Sequence, residues 1–267
     1  MAHDLCASVI GRMLLSWWKR RRRRRLLSEP FPEAWRDVLQ RNVVHYARLS
    51  ADRQRRLEER IQVFVAEKHW EGCSGLDVTD EMRVTIAAQA CLLVLGFDDE
   101  YYANVLSILI YPTAFVAADV EITRAGVVIQ DRQTRTGEAW YRGPVIVSWE
   151  DALAGGRQEH PGQNLVLHEF AHQLDMQGGR ELDGTPPLPT RELAAQWAEV
   201  MEAAFQQLRR DCRTGRRPLL DCYGTTNRAE FFAVATETFF ERPAAMAARH
   251  LELYDVLAAY YRQDPRQ

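Results

Sequence analysis

The chain has few cysteines and no pattern among them. Cys6, Cys73, Cys91, Cys212 and Cys222 make five, an odd number without a Cys-x-x-Cys pair. This argues against a disulfide framework and against a thiolate zinc cluster, and it fits a reducing cytoplasm. Cys222 reads as a small buried apolar residue. Long apolar runs are also missing. Val9 to Trp18 is too short to span a bilayer, and its cations follow it, which reverses the order of a secretory signal. Internal repeats and low-complexity linkers are absent, so a single domain is the economical count. What is present is ordinary for a packed soluble protein: 267 residues, 46% hydrophobic and 10% aromatic, enough to bury one sizeable core.

Charge is unevenly spread. Lys19 to Arg25 are seven consecutive cations directly after Trp17 and Trp18. With those seven set aside, the formal net charge of −3 becomes −10 over the other 260 residues. The body is therefore acidic and a poor nucleic-acid surface, and no specific nucleic-acid partner is expected. Residues 1–27 read as a basic, solvated, mobile tail, with weak binding to an anionic surface as its alternative use. Residues 28–267 read as the folded domain.

Within that domain the periodicities switch. Phe31 to Leu49 reads as one helix, and Ser50 as the cap of a second that carries the stripe Leu57, Ile61, Phe64 and Val65. Thr79 or Asp80 opens a third, buried helix that stops at Gly96. Ser107 to Val120 and Gly126 to Asp131 turn to β-branched and aromatic runs and read as short strands, as does Gly143 to Trp149. Thr190 to Cys212 repeats Leu193, Trp197, Val200, Ala204 and Leu208 at helical spacing. Pro243 opens the C-terminal helices, with Leu253, Tyr254, Leu257 and Tyr261 inward.

The stretch with chemistry in it is LVLHEFAHQLD, Leu165 to Asp175. Residues i and i+4 lie one above the other on a helix, so His168 and His172 can converge on one metal ion, with Glu169 beside the ion's open side as a general base. Leu165, Val166, Leu167, Phe170, Ala171 and Leu174 surround these polar groups, so the helix is buried, and buried imidazoles need partners. A catalytic zinc site takes a third protein ligand and leaves a fourth position to water. The best source is NRAEFFAVATETFF, Asn227 to Phe240, an apolar helix that nevertheless holds Glu230 and Glu237. Glu230 is either that ligand or the N3 member of a capping box with Asn227, and spacing alone leaves the two equal. Glu237, two turns on along the same face, and Asp175, three residues after His172, are candidates to accept a ligating imidazole's other N–H. Asp175 reads equally well as an acid ending its helix before Gly178 and Gly179.

These stretches together resemble the Mlc titration factor A family of bacterial zinc metallopeptidases. The likeness runs from about Pro30 to Pro265 and includes IAAQACLLVLGF (Ile86 to Phe97), ILIYPTAF (Ile108 to Phe115), GEAWYRGPVIVSWED (Gly137 to Asp151), NLVLHEFAHQLDMQGG (Asn164 to Gly179) and AEFFAVATETFF (Ala229 to Phe240). Carried over by position, the resemblance implies His168, His172 and Glu230 as the ligands of one Zn²⁺ per chain and Glu169 as the catalytic glutamate. The family is in turn similar to the catalytic domain of lethal-factor-type zinc peptidases, in which a Tyr stands seven residues before the Glu ligand. Tyr223 has that offset here, which implies a phenol able to stabilise an oxyanion. Met13 becomes an alternative start to Met1.

The expectation is a helix-rich α+β domain of zincin type with a small mixed β-sheet. The resemblance implies an aminopeptidase-like enzyme acting on short peptides and regulated by, or titrating, an Mlc-like transcriptional repressor, and the cysteine usage places it in the cytoplasm. A non-catalytic protein that sequesters such a repressor is the alternative, and a non-peptide amide hydrolase a weaker third. Val145 to Ser148 are expected to form a strand edge beside the cleft that pairs with an extended peptide, or else an internal strand with no free edge. Arg213 to Thr226 is expected to act as a gate.

Overall fold

The computed structural model describes residues 17–98, 102–114, 116–117, 120–123, 126–129, 143–178 and 182–267. Residues 1–16, with Cys6 and Met13, and residues 130–142, with the first half of the Gly137 to Asp151 stretch, lie outside them.

Two helices with almost no polar face set the arrangement. Helix α7 (Leu165–Asp175) buries Leu165, Val166, Leu167, Phe170, Ala171 and Leu174. Helix α9 (Arg228–Glu241) buries every residue from Phe231 to Glu241. Neither can be amphipathic in the usual sense, so each must be wrapped by other elements. They pack on one another, and α5 (Asp80–Leu93), equally buried and capped by the Thr79 hydroxyl, packs against α7. Phe170 enters an aromatic cluster with Phe64 and Tyr102 at ring-centroid distances of 5.7 and 4.8 Å. The cluster joins α7 to α4 (Ala51–Glu67).

On the other flank, α8 (Arg191–Arg213), with Thr190 as its cap, turns Leu193, Trp197 and Leu208 inward. After α10 (Pro243–Arg249), α11 (Leu251–Tyr261) closes the core with Leu253, Tyr254, Leu257 and Tyr261. No helix among the described residues is long and apolar enough to cross a membrane.

The sheet is small. β1 (His69–Gly72), β2 (Ser107–Tyr111) and β6 (Val145–Ser148) are parallel in the order β1-β2-β6. β3 (Val116–Ala117), β4 (Val120–Thr123) and β5 (Gly126–Ile129) form a separate antiparallel sheet. Parallel and antiparallel pairing both occur, divided between two sheets instead of mixed in one. Among the described residues β6 pairs on one side only, with β2. Its last residue, Ser148, accepts from the Asp151 amide and so caps α6 (Trp149–Gly156), which leads toward α7.

Four expectations change. The single helix over Phe31 to Leu49 is two, α2 (Glu33–Asn42) and α3 (Val44–Arg48), because Val43 adopts an extended conformation between them. The break follows tertiary demand on Asn42, whose amide donates to Glu81 and Thr85 and accepts from Arg157. At Gly156 a Cβ would meet the Asn42 carbonyl at 2.4 Å, so only glycine allows α6 this close. Ser50 stands at the N-cap of α4, but its hydroxyl makes no capping bond.

The basic run is not a mobile tail throughout. Residues 17–28 form a helix, α1, and Arg23 grips the Glu67 carboxylate with two bonds of 2.7 and 2.8 Å. An arginine fork on a carboxylate is the strongest form of such a pair.

The cysteine arithmetic also fails. Cys212 and Cys222 form a disulfide, and Cys222 is exposed instead of buried. The bond removes the cysteines as an argument for a reducing compartment. It also clasps most of the segment read as a gate, Arg213 to Thr226, by joining Cys212 just before it to Cys222 ten residues on.

Closing a loop of this length is worth about 2–3 kcal/mol on chain-entropy grounds. The Cys212→Ser/Cys222→Ser variant is therefore expected to lose about that much unfolding free energy in denaturant titration under oxidising conditions. An unchanged midpoint would show that the clasp constrains nothing.

Candidate metal centre

The site is built where α7 and α9 cross. Asn164 precedes α7 and its side-chain carbonyl accepts from the Leu167 amide at 3.0 Å, fixing the start of the helix and the rotation of its faces. His168 and His172, one turn apart, turn toward α9. Asn227 caps α9 by accepting from the Glu230 amide at 2.9 Å. The two readings of Glu230 thus resolve by atom: its backbone belongs to the cap, and its carboxylate turns to the histidines.

The three donor atoms form a near-regular triangle. His168 Nε2 lies 3.2 Å from His172 Nε2 and 2.9 Å from Glu230 Oε2, and His172 Nε2 lies 3.4 Å from the same oxygen. Ligands held at about 2.05 Å in a tetrahedron stand about 3.3 Å apart. The spacing therefore fits one small divalent ion, and two imidazole nitrogens with a carboxylate oxygen are a donor set that such an ion takes. Among the described residues, these three are the one group of histidine, cysteine and acidic side chains so arranged.

Behind the triangle runs a line of buried polar groups. His168 Nδ1–H donates to Glu237 Oε1 at 2.8 Å, which leaves Nε2 facing the triangle. The other Glu237 oxygen accepts from the Asn164 amide, and the Asn164 side-chain amide donates to Glu241 Oε1 at 3.1 Å. Past Glu241 stands His45, its Nε2 3.7 Å from that carboxyl and 3.2 Å from the Phe240 carbonyl.

Environment divides these groups. Burial alone would lower His168, yet its bonds to Glu230 and Glu237 carry the imidazole up to about 10. Burial would raise Glu230, yet the two imidazoles hold it down at about 2. The triangle is thus set for positive charge. Further back, burial wins: it pushes Glu241 up to about 7 and His45 down to about 4, so their approach brings together two neutral groups near pH 6 and is not an ion pair.

Of the two candidates for orienting an imidazole, Glu237 does so and Asp175 does not. The Asp175 oxygens accept from the Gly184 and Thr185 amides, each at 2.8 Å, and tie the following loop to the end of α7. Loop amides reach Asp175 before an imidazole can. His172 Nδ1 has no hydrogen-bond partner among the described residues. Glu169 is half-buried and lines a cleft of about 260 Å³ with His172, Glu230, Val145, Ile146 and Met176. Tyr223 sits on the 3-10 turn Cys222–Thr225, its ring 6.0 Å from that of His168. Sequence reasoning passed over Asn164 and Glu241. Their signals are an asparagine at the start of an apolar run and a third acid on α9, four residues after Glu237.

A two-histidine, one-carboxylate centre set between buried helices of an α+β scaffold is the class of site that fold and geometry define. The sequence model of the glucose-regulated metallo-peptidase M90 family matches residues 15–262, and the chain belongs to that family. It is 37% identical over 241 residues to the uncharacterized protein slr2042 of Synechocystis sp., covering 90% of this chain and 87% of that one. It is 34% identical to the Mlc titration factor A of Klebsiella pneumoniae, covering 83% of each chain. The Mlc titration factor A of an Enterobacter species is 33% identical, over 90% of this chain and 91% of its own.

A carboxyl raised from an ordinary 4.5 to about 7 keeps its proton in the folded state where the unfolded chain has released it. Stability therefore falls as pH rises through that window, by an amount on the order of 3 kcal/mol. Glu241→Gln keeps the acceptor for Asn164 and removes the titration. Its stability relative to the parent is expected to increase between pH 5 and pH 8 in denaturant titrations. A parallel pH dependence of the two proteins would contradict this.

Proposed function

We propose that this protein is a zinc-dependent peptidase with His168, His172 and Glu230 as ligands and Glu169 as general base. The single observation that supports it most is the triangle of donor atoms at 2.9–3.4 Å, backed by a carboxylate that orients one of the two imidazoles. When bound, the ion would supply Lewis acidity toward the scissile carbonyl and the attacking water. The protein's own groups do the rest. Glu169, on the cleft wall one residue past His168, takes a proton from the attacking water and returns it to the departing amine. Tyr223 donates a hydrogen bond to the developing oxyanion. Glu237 fixes the His168 ring so that its Nε2 stays turned to the site.

Substrate binding follows from the sheet. Val145 and Ile146 line the cleft, and β6 is paired on one side only among the described residues. A short peptide lying extended along that edge exchanges main-chain hydrogen bonds with it and brings a carbonyl toward Glu169. Aminopeptidase-like cleavage of short peptides is the activity we assign.

A second reading rests on the name of two relatives, Mlc titration factor A. In it the chain binds an Mlc-like repressor and cleavage is secondary. Glu169→Gln separates the two. We expect this variant to retain its metal and to lose at least ~10²-fold in hydrolysis of a panel of short peptides. Glu230→Ala, assayed beside it, is expected to lose the metal by elemental analysis. Full activity in metal-loaded Glu169→Gln would refute the peptidase mechanism, whereas repressor binding unchanged in Glu169→Gln would support titration as a separate activity.

A further inference from the structure

The basic helix α1 is not part of the site, and the placement of its side chains gives it a direction. Arg23 is bound to Glu67, Arg22 donates to the Ala66 carbonyl at 3.1 Å, and Lys19 lies 3.6 Å from Glu67. These contacts orient one face of α1 toward the end of α4. At about 100° per residue, Trp17, Trp18, Arg21, Arg24 and Arg25 fall within an arc of about 120° on the opposite face. All five are exposed, Trp17 by 46% and Trp18 by 63%. The two indoles meet edge to face with centroids 5.5 Å apart, and the Arg21 guanidinium stands 5.4 Å from the Trp17 ring. Two large indoles left in water beside three guanidiniums make a surface whose apolar and cationic parts call for a single complementary partner.

We infer that this outward face of α1 docks the protein on an anionic lipid bilayer. Guanidiniums pair with lipid phosphates, and indoles settle at the depth of the headgroups, where one part of the ring is dry and the N–H is wet. The helix needs no groove for this, since an interfacial helix lies flat. A nucleic-acid duplex would use the guanidiniums but leave both indoles in water. The edge-to-face pair also gives no parallel platform for stacking single-stranded bases.

The test is co-sedimentation of the full-length, metal-loaded protein with vesicles of phosphatidylglycerol and phosphatidylcholine, beside vesicles of phosphatidylcholine alone. Two variants accompany it: Trp17→Ala/Trp18→Ala, and Arg21→Glu/Arg24→Glu/Arg25→Glu. Both leave Arg23 and Glu67 in place, and a preserved thermal midpoint establishes that they fold. We expect binding to the anionic vesicles only, weakened by high salt. Each surface cation contributes about fivefold, so the arginine variant is expected to bind at least about a hundredfold more weakly. The tryptophan variant is expected to bind at least about tenfold more weakly. No anionic-lipid binding by the parent protein, binding that the tryptophan variant retains in full, or displacement from vesicles by an equal charge of duplex or single-stranded DNA would each overturn the inference.

Discussion

The hydrogen bond from His168 to Glu237 is the contact on which the rest of the site depends. It joins two helices that are apolar on nearly every side, and each donates to it a polar group that neither solvent nor its own helix can satisfy. An imidazole or a carboxylate at this depth without a partner costs several kcal/mol. The pairing of α7 with α9 is therefore specified in register and rotation, not merely in contact. Rotating either helix by half a turn would carry His168 and Glu237 apart and leave both unpartnered at once. The same bond fixes which nitrogen of His168 faces the triangle, so a constraint of folding is also a constraint of chemistry.

The surroundings serve this pair. The Phe64, Tyr102 and Phe170 cluster holds α7 from the α4 side, and the Asp175 bonds to Gly184 and Thr185 hold its far end. On the α9 side, the disulfide anchors the turn carrying Tyr223 to the last turn of α8. Tyr223 thus reaches His168 from a short segment fixed covalently, which suits a residue that has to hold a position more than it suits a lid.

The parts legible in the sequence were those governed by helical period. His168, Glu169 and His172 can be read from spacing, and the apolar residues around them declare burial. Glu237 was readable as an imidazole's partner because seven residues return it to the face of Glu230. Where the outcome depended on contacts distant in sequence, reading failed. Asp175 stands on the right side of its helix, but the loop amides it accepts arrive nine and ten residues later. Val43 breaks a good helical pattern because Asn42 is claimed by Glu81, Thr85 and Arg157. Cys212 and Cys222 were passed over because five thiols carry no record of which two will meet. The cations of α1 looked like a solvated run because Glu67, which seats Arg23, is 44 residues away.

Three glutamates on α9 show how one residue type is divided among tasks. Glu230, Glu237 and Glu241 follow one another at intervals of seven and four and face the same neighbouring elements. Glu230 meets two imidazoles and is held ionised at about 2, while burial pushes Glu241 up to about 7 against its bond from the Asn164 side-chain amide, with Glu237 adding to the rise. Ionised carboxylates one turn apart in a buried helix, as Glu237 and Glu241 are, would repel one another strongly. The repulsion is relieved at one end by the positive charge that the histidines and a ligated cation bring, and at the other by a retained proton. The carboxyl nearest the histidines therefore stays ionised, and the one farthest along α9 keeps its proton.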